Sequence, residues 1–244
     1  MIKTAAVIPA RYGSTRFPGK PLALIAGKPM IQWTCEKAAA SKADIVLVAT
    51  DDERIKDAVE SFGFQAIMTS PDHQSGTDRI AEAVKDIDAE LIINLQGDEP
   101  MLPSSVINQL IDIMHSMPKI EMATVAVPAN ISSEEYQDPN TVKVVTDTKG
   151  KALYFSRSPL PYFRNTPQEA TCLFHWGIYA YRRSFLDQFI QWPQSDLEKI
   201  ESLEQLRALE NGASIQVAIA QDKALGVDTP EDIQKVEEFL KTGK

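Results

Sequence analysis

Cysteine is scarce in this sequence: only Cys35 and Cys172 are present, far apart and without ligand-type spacing. A disulfide framework is thereby excluded, and both read as free thiols of a reducing compartment. The three histidines form no Cys/His cluster, which argues against a zinc centre. Positive charge is outweighed, with 25 Lys and Arg against 34 Asp and Glu and a formal net charge of −9. Non-specific binding to nucleic acid or to a membrane surface is therefore not expected. No apolar run approaches the roughly 18 residues of a membrane span. The start, MIKTAAVIPARYGS, lacks the cleavage pattern of a secretory signal, so the expected location is cytoplasmic.

What is there is an ordinary globular composition, 43% apolar and 24% charged over 244 residues. It suits one large α/β domain or one with a substantial insertion. The first half alternates apolar runs of strand length, at 4–8, 44–50, 65–68 and 90–95, with helical patterns at 30–40, 52–62, 77–87 and 104–117. Continuous apolar strands separated by helices predict a mostly parallel sheet covered by helices. The second half is less regular. Strands are expected at 122–127, 142–147, 152–155, 176–181 and 215–220, with a hairpin turn at 147–150 and a loop over 158–171. A helix is expected at 197–210, and Thr229-Pro230 opens a last one with Asp232 in a capping-box role. The organisation expected is a single domain, 1–244, with an inserted hairpin subregion over about 129–190.

The segment after the first strand, PARYGSTRFPGKP, concentrates Arg11, Arg16 and Lys20 in an acidic chain. Gly13 and Gly19 let successive backbone N–H groups converge on phosphate oxygens, and Ser14 and Thr15 add hydroxyls. In open α/β sheets ligands bind beyond the carboxyl ends of the strands, where this loop falls. It is neither a Walker A loop, since Pro21 follows Lys20, nor a dinucleotide-binding G-x-G-x-x-G. On these residues alone it holds the phosphates of any nucleoside triphosphate, or is a solvated basic loop. Asp98 follows an apolar strand and a Gly, and Asp228 precedes the last helix; such carboxylates hold a hard divalent cation, or serve as turn and helix-entry residues.

The segment Pro9–Pro21 resembles the opening motif of the CMP-sugar synthetases, most closely the CMP-Kdo synthetase family (Kdo, 3-deoxy-manno-octulosonate). The similarity continues in order through VATD (48–51), TSPDHQSGTDR (69–79), LQGDEP (95–100), ALYFSR (152–157), HWGIY (175–179), LEQLR (203–207) and GVDTPED (226–232). The resemblance implies a Rossmann-like nucleotidyltransferase fold with an inserted hairpin and dimerisation region. It implies a homodimer that transfers CMP from CTP to the anomeric 2-hydroxyl of Kdo, giving CMP-Kdo and pyrophosphate for lipopolysaccharide biosynthesis, with Mg²⁺ as cofactor.

By the same resemblance Asp98 and Asp228 hold the metal and act in catalysis with Arg11, Arg16 and Lys20. Pro9, Ala10, Arg11, Ser14, Arg16, Lys20, Ser75, Gly76, Thr77, Arg79 and Gln96 bind CTP. Gln96, Arg157, His175, Tyr179, Glu204 and Gln205 bind the sugar. For His175 a satisfied structural role, and for Glu204 a solvated surface role, are the alternatives. The chain departs from the family at Trp176, at Ala180 and in a short 160–171 loop, which keeps 8-amino-Kdo open as an acceptor. A sialic-acid cytidylyltransferase and an inert nucleotide-binding sensor are the competing functions.

Overall fold

The computed structural model describes residues 3–13, 17–165, 170–221 and 225–242. In chain order the elements begin β1 (Thr4–Ala10), β2 (Leu24–Ile25), β3 (Lys28–Pro29), α1 (Met30–Ala39), β4 (Ile45–Thr50) and α2 (Glu53–Ser61). They continue with β5 (Gln65–Met68), α3 (Gly76–Ala83), β6 (Leu91–Asn94), α4 (Ser104–Ser116), β7 (Met122–Asn130) and α5 (Glu134–Gln137). Then follow β8 (Lys143–Thr146), β9 (Ala152–Ser156), β10 (Thr171–Arg182), α6 (Arg183–Phe189), α7 (Asp196–Glu201), α8 (Gln205–Glu210), β11 (Ile215–Ile219) and α9 (Pro230–Thr242). The chain divides into two compact units, Met1–Ile111 with Ala224–Lys244, and Asp112–Lys223.

The first unit is built on a parallel sheet in the order β6-β1-β4-β5. Its strands are the apolar runs seen in the sequence; Ala5, Val7, Ile8, Leu47, Val48, Leu91 and Ile93 are buried. The register pairs Ala10 with Thr50, Thr50 with Met68, and Val7 with Asn94, so the strands end toward one edge of the sheet. The segments after β1, β5 and β6 leave from that edge, as the switch-point rule predicts. Side chains start the helices: Asp52 Oδ1 accepts from the N–H of Arg54 at 3.0 Å, and Ser75 Oγ from that of Asp78 at 3.1 Å.

A small core of Ile25, Met30, Val227 and Val236, flanked by Phe17, Trp33 and Ile233, ties the loop after β1 to α9. Asp232 takes the expected capping-box role at the start of α9, with its carboxylate rather than a reciprocal pair of bonds. Asp232 Oδ2 accepts from the N–H of Asp228 at 3.1 Å and from the N–H and hydroxyl of Thr229 at 3.0 and 3.1 Å. The Lys235 ammonium, with these backbone donors, pulls the Asp232 carboxyl down to about 2.

In the second unit β7 is flanked by β11, parallel, and by β10, antiparallel; β8 pairs with β10 and with β9, both antiparallel. The hairpin expected at 147–150 joins β8 to β9, and Asp147 Oδ1 accepts from the N–H groups of Lys149 and Lys151, each at 2.8 Å. Strand β10 runs longer than the expected 176–181 because Thr171–Trp176 pair in register with β7. Between Trp176 and Tyr179 that register shifts. The hydroxyl of Thr124 fills the irregularity, lying 2.8 Å from the carbonyl of Ile178 and 3.3 Å from that of Trp176. The single helix expected at 197–210 is two, α7 and α8, because Ser202 takes a left-handed conformation (φ 52°) between them. Helix α6 was not anticipated.

Candidate active site

A cleft of about 300 Å³ opens in the first unit, lined among others by Pro9 and Ala10 at the end of β1, Arg11 after it, Ser75 at the cap of α3, Gly76 and Arg79 within α3, and Gln96, Asp98 and Asp228. Gly97 eases the passage where the chain leaves β6, since a Cβ there would stand a tight 3.3 Å from the carbonyl oxygen of Pro9. β6 ends at Asn94, and Gln96 and Asp98 both reach the cleft from the loop that follows it. Gln96 Nε2 donates to Asn94 Oδ1 at 3.1 Å.

The two aspartates are brought together by backbone as much as by side chain. The N–H of Val227 donates to the carbonyl of Asp98 at 2.9 Å, which sets residues 98 and 228 beside each other. Between them stands the Lys20 ammonium, 2.7 Å from Asp98 Oδ2, 2.8 Å from the Val227 carbonyl and 3.6 Å from Asp228 Oδ1. Lys20 is placed by the neck of the loop. Gly19 has φ 69°, its N–H donates to the Tyr12 carbonyl at 2.9 Å, and a Cβ on it would lie 3.0 Å from the Tyr12 ring. The guanidinium of Arg54 stacks over that ring, 3.4 Å from the centroid. Two carboxylates and a carbonyl thus converge on one cation position, with hard oxygen donors only. Among the described residues no group of three or more His, Cys, Asp and Glu side chains gathers into a metal site, here or elsewhere, so the carboxylates at this position number two.

At the other end of the cleft the first turn of α3 offers Ser75 and Gly76. Arg79, expected to face nucleotide, is buried. Its guanidinium donates to Thr69 Oγ1 at 2.7 Å and to Asp51 Oδ2 at 2.6 Å, tying α3 to the ends of β4 and β5. Thr77 is buried in the same turn and lies outside the cleft lining. Ser14 and Arg16 fall outside the described residues. Sequence reasoning missed His73 and Gln74, which also line the cleft. The signal was available, since both stand inside the TSPDHQSGTDR segment. His73 Nε2 bonds the carboxylate of Glu82. The N–H of Ser70, and then His73, hold that carboxyl below its usual range. The Val227 carbonyl was also missed, and a backbone oxygen leaves no side-chain signature to find.

The remaining expected residues lie in the second unit and are largely engaged there. Arg157 donates from Nε to the carbonyl of Glu201 at 2.7 Å, from Nη1 to that of Pro139 at 2.9 Å and from Nη2 to that of Ser202 at 3.3 Å. His175 packs edge-on against Phe155, 4.8 Å between ring centroids, and its Nε2 lies 2.9 Å from Thr124 Oγ1. With the Thr124 hydroxyl donating to Ile178, Nε2 carries the proton and donates. Burial pushes the imidazole down to about 3, so it is neutral at working pH. Tyr179 is buried beside it, and burial, with the charge of Glu204, raises its phenol. Glu204 lies 3.7 Å from the Arg207 guanidinium, which is paired with Glu198 at 2.6 Å. Gln205 is buried, and its Nε2 has no partner among the described residues.

Comparison with known proteins agrees with this geometry. The family model described as Cytidylyltransferase matches residues 5–216. The chain is 50% identical over 244 residues to a 3-deoxy-manno-octulosonate cytidylyltransferase of Bdellovibrio bacteriovorus, covering 98% of each chain. It is 52% identical over 240 residues to one from Leptospira biflexa, covering 97% of this chain and 96% of that one. Among solved structures, a CMP:2-keto-3-deoxy-manno-octonic acid synthetase complexed with CTP superposes with a TM-score of 0.95 at 46% identity, over 99% of this chain and 100% of that one. This chain belongs to the cytidylyltransferase family, among the 3-deoxy-manno-octulosonate cytidylyltransferases.

Proposed function

We propose that this chain activates Kdo for lipopolysaccharide biosynthesis, transferring CMP from CTP to the anomeric 2-hydroxyl and releasing pyrophosphate. The observation that carries it is the convergence of Asp98, Asp228 and the Val227 carbonyl on one cation position, in a cleft that also presents Arg11 and the first turn of α3. Nearly full-length identity of about half to enzymes named for that activity supports it.

In this account Pro9, Ala10, Arg11, Ser14, Arg16 and Lys20 receive the triphosphate. Ser75, Gly76 and Gln96 meet the nucleoside, while Thr77 and Arg79 hold α3 so that its first turn faces the cleft. The donor set fits Mg²⁺, which takes few protein carboxylates and completes its shell with phosphate oxygens and water. Asp98 and Asp228 would hold it, and when bound it supplies charge neutralisation at the α-phosphate and the leaving pyrophosphate. The 2-oxygen of Kdo forms its bond to the α-phosphorus as the bond to the bridging oxygen of pyrophosphate breaks, and the hydroxyl proton is released to solvent. The chain's residues contribute position and charge rather than a covalent intermediate.

For the sugar, Gln205 offers a buried amide donor and Gln96 a second amide. Glu204 precedes Gln205 in the chain, and its charge acts on the buried Tyr179 phenol. Arg157 and His175 act by shaping this region. The enzyme is placed in the cytoplasm, with CTP, as one nucleotidyltransferase domain. It dimerises through the 129–190 region, where Leu153 and Tyr162 are exposed. Among the described residues, no helix is long and apolar enough to cross a membrane.

A matrix of CTP, UTP and GTP against Kdo, 8-amino-Kdo and N-acetylneuraminate, scored by pyrophosphate, tests the assignment. Release is expected with CTP and Kdo together. Equal or faster release with N-acetylneuraminate or 8-amino-Kdo, or release from CTP without sugar, would overturn it.

A further inference from the structure

We propose that Lys20 is a built-in counter-cation for the Asp98–Asp228 oxygen cage, so that a divalent cation gains the cage only when a nucleoside triphosphate draws the ammonium away. The inference rests on the reading of these aspartates as metal-holding and goes beyond it. Lys20 turns to the acidic side of the cleft: its Nζ lies 2.7 Å from Asp98 Oδ2, 2.8 Å from the Val227 carbonyl and 3.6 Å from Asp228 Oδ1. The lysine side chain is largely covered, whereas Asp228 is largely exposed. A small divalent ion entering that position from solvent therefore meets a cation already bonded there.

The two cannot share the cage, since like charges a few ångströms apart repel strongly outside bulk water. Lysine, a point charge on a flexible stem, can change partners without moving the backbone. A triphosphate on Arg11 and the loop gives the ammonium an alternative anion next to its present one. The exchange leaves both sets of charges matched, with the divalent ion on the carboxylates and the ammonium on phosphate. Neither ligand alone achieves that. Competition of this kind reduces apparent affinity by the fraction of time the cage is free of Lys20. If that fraction is about one tenth or less, removing the ammonium tightens metal binding roughly ten-fold or more.

The test is Mn²⁺ binding to the full chain, read by electron paramagnetic resonance of free Mn²⁺, without nucleotide and with a non-hydrolysable CTP analogue. Lys20→Met is expected to bind Mn²⁺ at least about ten-fold more tightly than wild type without nucleotide. Asp98→Asn added to it should remove that gain. With the analogue present the wild type should tighten and the difference between the two should shrink. Because the carboxylates are open to water, Lys20→Met should fold, which a thermal melt checks. Lys20→Arg, which keeps a cation in reach of the cage, should stay weak like the wild type. Lys20→Met binding no more tightly than wild type without nucleotide would overturn the proposal. No Mn²⁺ binding by any variant even with the analogue would instead remove the metal reading beneath it.

Discussion

Lys20, Asp98 and Asp228 in the first unit and Arg157 and His175 in the second were all drawn from motifs of one resemblance, yet the structure uses them in opposite ways. Asp98 and Asp228 present carboxylate oxygens at a cleft and are held in place mainly by backbone around them, the Val227–Asp98 hydrogen bond and the capped start of α9. Arg157 gives its guanidinium to three carbonyls of its own unit, and His175 gives its ring N–H to Thr124. A motif therefore marks a position that matters without saying whether its side chain touches substrate or holds the residues that do. What separates the two cases is where the polar atoms end, at the cleft or inside the fold.

The largest effect should come from the cleft. Asp98→Asn and Asp228→Asn should each lower turnover on the order of 10³-fold or more, with circular dichroism unchanged. Near-normal rates in either would erase the distinction from that side.

Arg157→Ala should do the reverse and lose about 2–3 kcal/mol in urea unfolding, because carbonyls satisfied by a charged donor are left unpaired. If its stability holds and only the KM for Kdo rises, Arg157 is a contact residue after all.

His175 sharpens the comparison through pH. Its folded pKa of about 3 lies below the ordinary 6.5, so between these values the unfolded chain binds a proton that the folded chain does not. Stability is therefore fully kept above about pH 6.5 and lost as pH falls through the window. By about pH 4 the loss attributable to this residue should be on the order of 1–3 kcal/mol. His175→Gln, which keeps an N–H for Thr124 but does not titrate, should flatten that part of the stability profile. An unchanged profile would mean that the ring is charged when folded.

The smallest effect tests the neck of the loop. Gly19→Ala places a Cβ against the Tyr12 ring at φ 69° and should cost about 1–2 kcal/mol of strain. The variant should raise the KM for CTP more than that for Kdo, measured by initial rates of pyrophosphate release.

Much of the first unit was legible because local signals and tertiary outcome agree there. The apolar runs became β1, β4, β5 and β6, Asp52 and Ser75 capped their helices, and Asp232 took its capping-box place. The second unit resisted for physical reasons. The irregularity in β10 depends on a hydroxyl at Thr124, some fifty positions earlier in the chain. The break between α7 and α8 sits at Ser202, which lacks the glycine signature of a left-handed turn. At the site, Asp98 and Asp228 could be named, whereas the Val227 carbonyl that joins them on Lys20 could not, because any residue carries one. Arg79 was legible as a residue of the cleft, and only the structure shows its guanidinium held by Asp51 and Thr69.

Thermal unfolding of Asp98→Asn and Arg157→Ala beside the wild type, in one buffer at one concentration, tests this division between acting and supporting residues most directly. Asp98→Asn should melt with the wild type or slightly above it, since its carboxylate serves the cleft and not the core. Arg157→Ala should melt roughly 5–10 °C lower. An Arg157→Ala melt that matches the wild type, together with a lowered one for Asp98→Asn, would contradict the account.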